Sequence, residues 1–97
     1  MGRKSLAEKY YEQVKKSHEE EVGTWLVLYD FRGMKANSNF WTNIKRVEDL
    51  VKGGSLIQYS AFTTNSKRGA ITVHMLAEHY GAETVLYRAE RIEIKQT

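Results

Sequence analysis

Two amphipathic helices set between short apolar strands, in the order β-α-β(β)-α-β-β behind one further helix, predict an α+β domain. Three observations carry this reading. Phe40, Ile44, Val47 and Val51 recur at helical spacing, Val73, Leu76, Ala77 and Tyr80 do so again, and loops of a few residues join both to runs rich in β-branched and aromatic residues. Strands separated by helices of about a dozen residues make split β-α-β units, whose crossovers place both helices on one face of an antiparallel sheet. That is the ferredoxin-like architecture. The division that follows is an N-terminal helical appendage over 1–23 and a ferredoxin-like domain over 24–97.

Residues 5–21 read as the extra helix, because Leu6, Tyr10 and Val14 form a narrow apolar stripe among Glu and Lys, with Glu19, Glu20 and Glu21 at the unfavourable negative end of the helix dipole. Thr24 to Phe31 is a nearly continuous apolar run that suits a central strand buried on both faces and ends on Asp30. Asn37, Ser38 or Asn39 can cap the next helix, and Gly53-Gly54 can stop it. Ser55 to Thr64 reads as a strand or a kinked strand pair, with turn chemistry at Asn65-Ser66. A helix from about Lys67 to Tyr80, stopped by Gly81, leads to a strand over Thr84–Ala89. Last, Arg91 to Lys95 alternates charged and apolar residues, the pattern of an edge strand.

The 97 residues suffice for one two-layer core, and the absence of cysteine excludes disulfides, thiolate zinc sites and cysteine nucleophiles. No apolar run approaches the roughly 20 residues that span a bilayer, and the charged start is unlike a signal peptide, so a cytoplasmic protein with no membrane partner is expected. The net charge of +3 is mild. Five basic and five acidic residues cancel within 1–23, which leaves the whole excess on the main domain. Any contact with nucleic acid is therefore local.

Asp30, at the end of a central strand and before a loop bearing Arg32 and Lys35, stands where α/β folds hold ligands. Its carboxylate can hold Mg²⁺ by one oxygen, or it can cap the turn or pair with Arg32. A twofold axis near the strand end would supply a second Asp30. Aromatics in Gln58-Tyr59-Ser60-Ala61-Phe62 can stack bases while Ser60 contacts phosphate, or Tyr59 and Phe62 can simply fill the core. Lys67 and Arg68 at the start of the second main helix can contact phosphates. His74 and His79 point apart, fit no zinc motif and are set aside. Ile92 and Ile94 share one face of the C-terminal run, which has no place in its own four-stranded sheet and so is expected to pair with a second protomer.

The strand Leu26 to Phe31 ending on Tyr-Asp-Phe, the segment Ile57 to Phe62 with Gln58, Ser60 and Phe62, and the strand Val85 to Tyr87 resemble the CRISPR-associated Cas-two family over roughly residues 24–94. The chain is similar at lower specificity to the virulence-associated protein D ribonucleases. The first resemblance implies a ferredoxin-like homodimer that binds DNA or RNA, either as a Mg²⁺-dependent endonuclease with Asp30 as catalytic residue and metal ligand or as the scaffold partner of a Cas-one-type integrase in spacer capture. Members usually begin at the first strand, whereas more than twenty residues precede it here. A non-catalytic interaction or nucleic-acid-binding module on the same fold is the alternative.

Overall fold

The computed structural model describes residues 4–51, 53–58 and 60–95. Its elements are α1 (Leu6–Ser17), β1 (Val22–Asp30), α2 (Ser38–Leu50), β2 (Ser55–Gln58), β3 (Ala61–Ser66), α3 (Lys67–His79) and β4 (Glu83–Ala89). The strands form one sheet in the order β2-β3-β1-β4, each neighbouring pair antiparallel. β3 separates β1 from β2, so both β-α-β units are split as the ferredoxin-like reading expects.

Side-chain alternation decides which face of the sheet is covered. Trp25, Val27 and Tyr29 point to the helices and are buried, as are Phe62 and Thr64, which stand opposite Val27 and Trp25 on β3. From α2 the predicted stripe Phe40, Ile44, Val47 and Val51 meets them, and from α3 come Val73, Leu76 and Ala77. Phe40 is fully buried and packs edge-on against Tyr29, Phe31, Trp41 and Tyr80, with ring centroids 5.0–6.0 Å away. Where α3 passes the end of α2 there is no room for a side chain, because a Cβ on Gly69 would stand 2.8 Å from Val51 Cγ2.

The opposite face of the sheet is open. Leu28, Val85 and Tyr87 lie there with 37%, 47% and 52% of their surface exposed. β1 is central, as expected, yet it is buried on one face only, because the helices all lie on the other side.

Local chemistry sets the helix limits. Ser5 Oγ accepts from the Glu8 amide at 3.1 Å, Asn37 Oδ1 from the Asn39 amide at 2.8 Å, and Ser66 Oγ from the Gly69 amide at 3.0 Å, so each helix begins on a side-chain cap. Ser66 thus closes β3 and caps α3, where the sequence suggested a turn. α1 stops at Ser17 rather than running on to Glu21; three consecutive carboxylates at the negative end of a helix dipole disfavour another turn, and the chain turns away instead. Its extended continuation lets β1 begin at Val22, ahead of the expected Thr24.

α1 forms a third layer, seated on α2 and α3 with Ala7 and Val14 buried. Asn43, 8% exposed, joins all three helices: its Oδ1 accepts from the Ala7 amide at 2.9 Å, and its Nδ2 donates to Asn39 O at 2.8 Å and to Tyr80 Oη at 3.3 Å. Tyr10 Oη lies 3.1 Å from His79 Nδ1. The segment treated as an appendage therefore shares the core of the domain, a placement that a narrow stripe of apolar residues did not reveal. No described helix is long and apolar enough to cross a membrane.

Residues 91–95 form no strand within the chain, and Ile92 and Ile94 are 77% and 85% exposed. β4, which they follow, is an edge strand with one side unpaired in the sheet.

Candidate nucleic-acid interface

The residues singled out from the sequence separate into two groups at opposite ends of β1. Asp30 and Ser60 lie at one end, since Tyr29 N donates to Ser60 O at 3.0 Å and Leu28 pairs with Ala61. Lys67 and Arg68 lie at the other, where Val22 pairs with Ser66. At roughly 3.3 Å per residue the two ends are about 25 Å apart.

At the first end Asp30 is exposed. Its Oδ1 accepts the Arg32 amide at 2.8 Å, the two-residue turn that Asp makes with its own backbone. Arg32 takes a left-handed φ of 56° and Gly33 follows at 78°, so the chain reverses tightly after the strand. That reversal brings the Arg32 guanidinium onto Glu83, which stands directly across from Asp30 on β4. Glu83 is the acid that the sequence did not offer: it sits far along the chain on a strand edge, and only the β1–β4 register puts it beside Asp30. Lys35 is exposed in the same loop.

Asp30, Ser60, Glu83 and Glu78 line an open cleft of about 880 Å³ at this end of the sheet, together with Tyr29 and Thr84. The last two are cross-strand partners whose buried hydroxyls find no hydrogen-bond partner among the described residues. Burial pushes the Tyr29 phenol well above its ordinary value, so it is a neutral donor at any physiological pH. The cleft is open rather than enclosed between sheet and helices.

A magnesium ion keeps several waters and takes one or two protein carboxylates. Asp30 offers one, through an oxygen with no hydrogen bond among the described residues. Glu83, its cross-strand partner, is engaged by Arg32. Among the described residues no three His, Cys, Asp or Glu side chains gather into a metal-binding group. Among the described residues one chain therefore offers such an ion a single-carboxylate contact.

At the second end the cations are denser than the sequence suggested. Lys67 Nζ and the Arg88 guanidinium lie 5.7 and 5.8 Å from the Trp25 ring, and Arg68 follows Lys67 in the first turn of α3. Arg88 joins this group because β4 pairs it with Trp25. Carboxylates of the 18–21 connection meet the same cluster: Glu21 pairs with Arg88 at 2.8 Å, and Glu20 accepts from Ser66 Oγ at 2.6 Å and from the Arg68 amide at 3.1 Å. Partial burial raises the Glu20 carboxyl, but the hydrogen bonds from Ser66, Arg68 and Glu21, with the Arg68 charge, outweigh it and hold the group below the usual range.

Tyr59, offered as a base-stacking residue, lies outside the described residues. Phe62 fills the core. His74 and His79 are apart as expected, one beside Glu78 and the other against Tyr10. Comparison of the chain with family models, with curated proteins and with solved structures returns no match.

Proposed function

We propose that the chain is a homodimeric, cytoplasmic nucleic-acid-binding protein of the Cas-two type, with DNA or RNA held through its phosphates and a Cas-one-type integrase as protein partner. The observation that supports binding is the placement of cations at both ends of β1: Arg32 and Lys35 at one, Lys67, Arg68 and Arg88 at the other. The two groups stand about 25 Å apart along the strand. Ser60 adds an exposed hydroxyl at the first end.

Binding of this kind is electrostatic, and log affinity for a short DNA or RNA is expected to fall linearly with log salt, by about 0.7 to 0.9 per phosphate neutralised. Fluorescence anisotropy across a salt series measures it. No binding at low salt, or an affinity indifferent to salt, rules the reading out.

A second reading, Mg²⁺-dependent cleavage at Asp30, draws on the exposed carboxylate at the rim of the cleft. A second carboxylate would come from Asp30 of the other protomer or from Glu83 released from Arg32. Asp30→Asn keeps the shape and the backbone contact while removing the charge that a hard cation needs. Cleavage of an oligonucleotide in Mg²⁺ is then expected to fall to background with the circular dichroism unchanged. Cleavage undiminished in the purified variant would show that the activity is a contaminant or lies elsewhere than Asp30.

A further inference from the structure

We propose that the Glu20–Glu21 connection between α1 and β1 is a built-in competitor for the nucleic-acid backbone at the Lys67–Arg68–Arg88 end of the domain. The proposal rests on the nucleic-acid reading above and assigns that surface a regulator within the same chain.

The contacts are these. Glu20 uses both carboxylate oxygens, one taking the Ser66 hydroxyl at 2.6 Å and the other the Arg68 amide at 3.1 Å, the latter oxygen also taking the Glu21 amide at 3.1 Å. Arg68 Nε donates to His18 O at 2.9 Å, the Lys67 amide donates to Glu21 O at 3.2 Å, and the Glu21 carboxylate pairs with Arg88 at 2.8 Å. The connection therefore meets the guanidinium groups of Arg88 and Arg68, the first through a carboxylate and the second through a carbonyl, and Lys67 through its backbone amide. Two anionic oxygens held by a hydroxyl and a backbone N–H at a helix start, with the charge of Arg68 beside them, is how the non-bridging oxygens of a phosphodiester are held. Here the anion arrives from 46 and 48 residues away in the same chain.

The backbone of the connection is also held, since Glu21 O accepts from Trp25 Nε1 at 3.0 Å, and two further features leave its carboxylates open to displacement. The Arg88–Glu21 pair is exposed, its side chains at 64% and 42%, and exposed pairs hold weakly. α1 is anchored independently, through Ala7 to Asn43 and Tyr10 to His79, so the carboxylates can be displaced while the helix stays seated. A phosphate competing with it meets a lowered apparent affinity, set by the fraction of molecules in which the cations are uncovered.

Glu19 supplies the control. It is exposed, belongs to the same acidic run, and makes no hydrogen bond or ion pair among the described residues. Glu19→Gln and Glu20→Gln thus change net charge equally and differ only in contact. In the full chain, Glu20→Gln is expected to bind a short fluorescent DNA duplex or its single strand about tenfold more tightly at low salt, and Glu19→Gln no more than about twofold. A gain in Glu20→Gln well above that in Glu19→Gln, including binding where the unmodified protein shows none, supports the competitor. Equal gains in both proteins would reduce the effect to bulk charge and overturn it, and an unchanged Glu20→Gln beside an unmodified protein that binds would overturn it while leaving the nucleic-acid reading intact. No binding by any of the proteins would end both. Should Glu20→Gln fold poorly by circular dichroism, an NMR titration of the unmodified chain decides: DNA is expected to shift the Arg68 amide and leave the Ala7 amide in place, and an unmoved Arg68 amide at saturation overturns the proposal.

Discussion

Removal of the residues beyond Glu90 is expected to convert a dimer at micromolar concentration into a monomer, with the helices intact. Ile92 and Ile94 stand 77% and 85% exposed on a segment that alternates charge with isoleucine, directly after an edge strand whose outer side is unpaired in the sheet. Such an edge invites another chain. Paired across a twofold axis, the segment gains backbone hydrogen bonds and removes both isoleucines from water, a contribution of roughly 3–6 kcal/mol per chain before the cost of ordering it. The open sheet face with Leu28, Val85 and Tyr87 lies beside it and can extend the contact. Ile92→Lys with Ile94→Lys is expected to act as the truncation does, because two ammonium groups cannot be buried in their place. Sedimentation velocity reads the outcome. A truncated chain that still sediments as a dimer would move the interface to the helices.

Phe40→Ala is expected to cost about 3–5 kcal/mol, a large part of the roughly 5–15 kcal/mol that stabilises a domain. Phe40 is fully buried, and four other aromatic rings pack edge-on around it from β1, the loop after β1, α2 and the end of α3. None of them can swing in to fill the space without leaving its own place, so the cavity stays open and carries its full penalty. Thermal unfolding is expected to shift down by more than about 10 °C. The β1 end that bears Asp30 rests on this cluster through Tyr29 and Phe31, so ligand binding at the cleft is expected to weaken with it. A shift of only a few degrees would mean that the neighbouring rings collapse into the space.

Much of the fold was legible because it is encoded in short range. Phe40, Ile44, Val47 and Val51 lie at helical spacing and so share one side of any helix they form; their burial follows from the pattern alone. The split order of the sheet follows from helices that alternate with strands and from short connections. The apolar tail pattern of Ile92 and Ile94 was equally plain, and so was Asp30 at a strand end. Composition excluded disulfides and thiolate chemistry outright.

What the sequence left open are the matters settled by residues far apart in it. Thr24 to Phe31 reads as apolar throughout, and only the placement of all three helices on one side decides that Leu28 is half in water while Val27 is buried. Glu83 reaches Asp30, and Arg88 reaches Trp25, through a register that depends on the whole β1–β4 ladder and on no local signal. α1 looks peripheral by its narrow stripe, yet one buried amide, Asn43, draws it onto α2 and α3, because a polar group removed from water must find partners wherever the fold supplies them. Glu20 looks like one charge in a solvated acidic run. Tertiary structure sets it on the first turn of α3, where the Ser66 hydroxyl, an unsatisfied amide and the charge of Arg68 make a carboxylate more stable than water alone does.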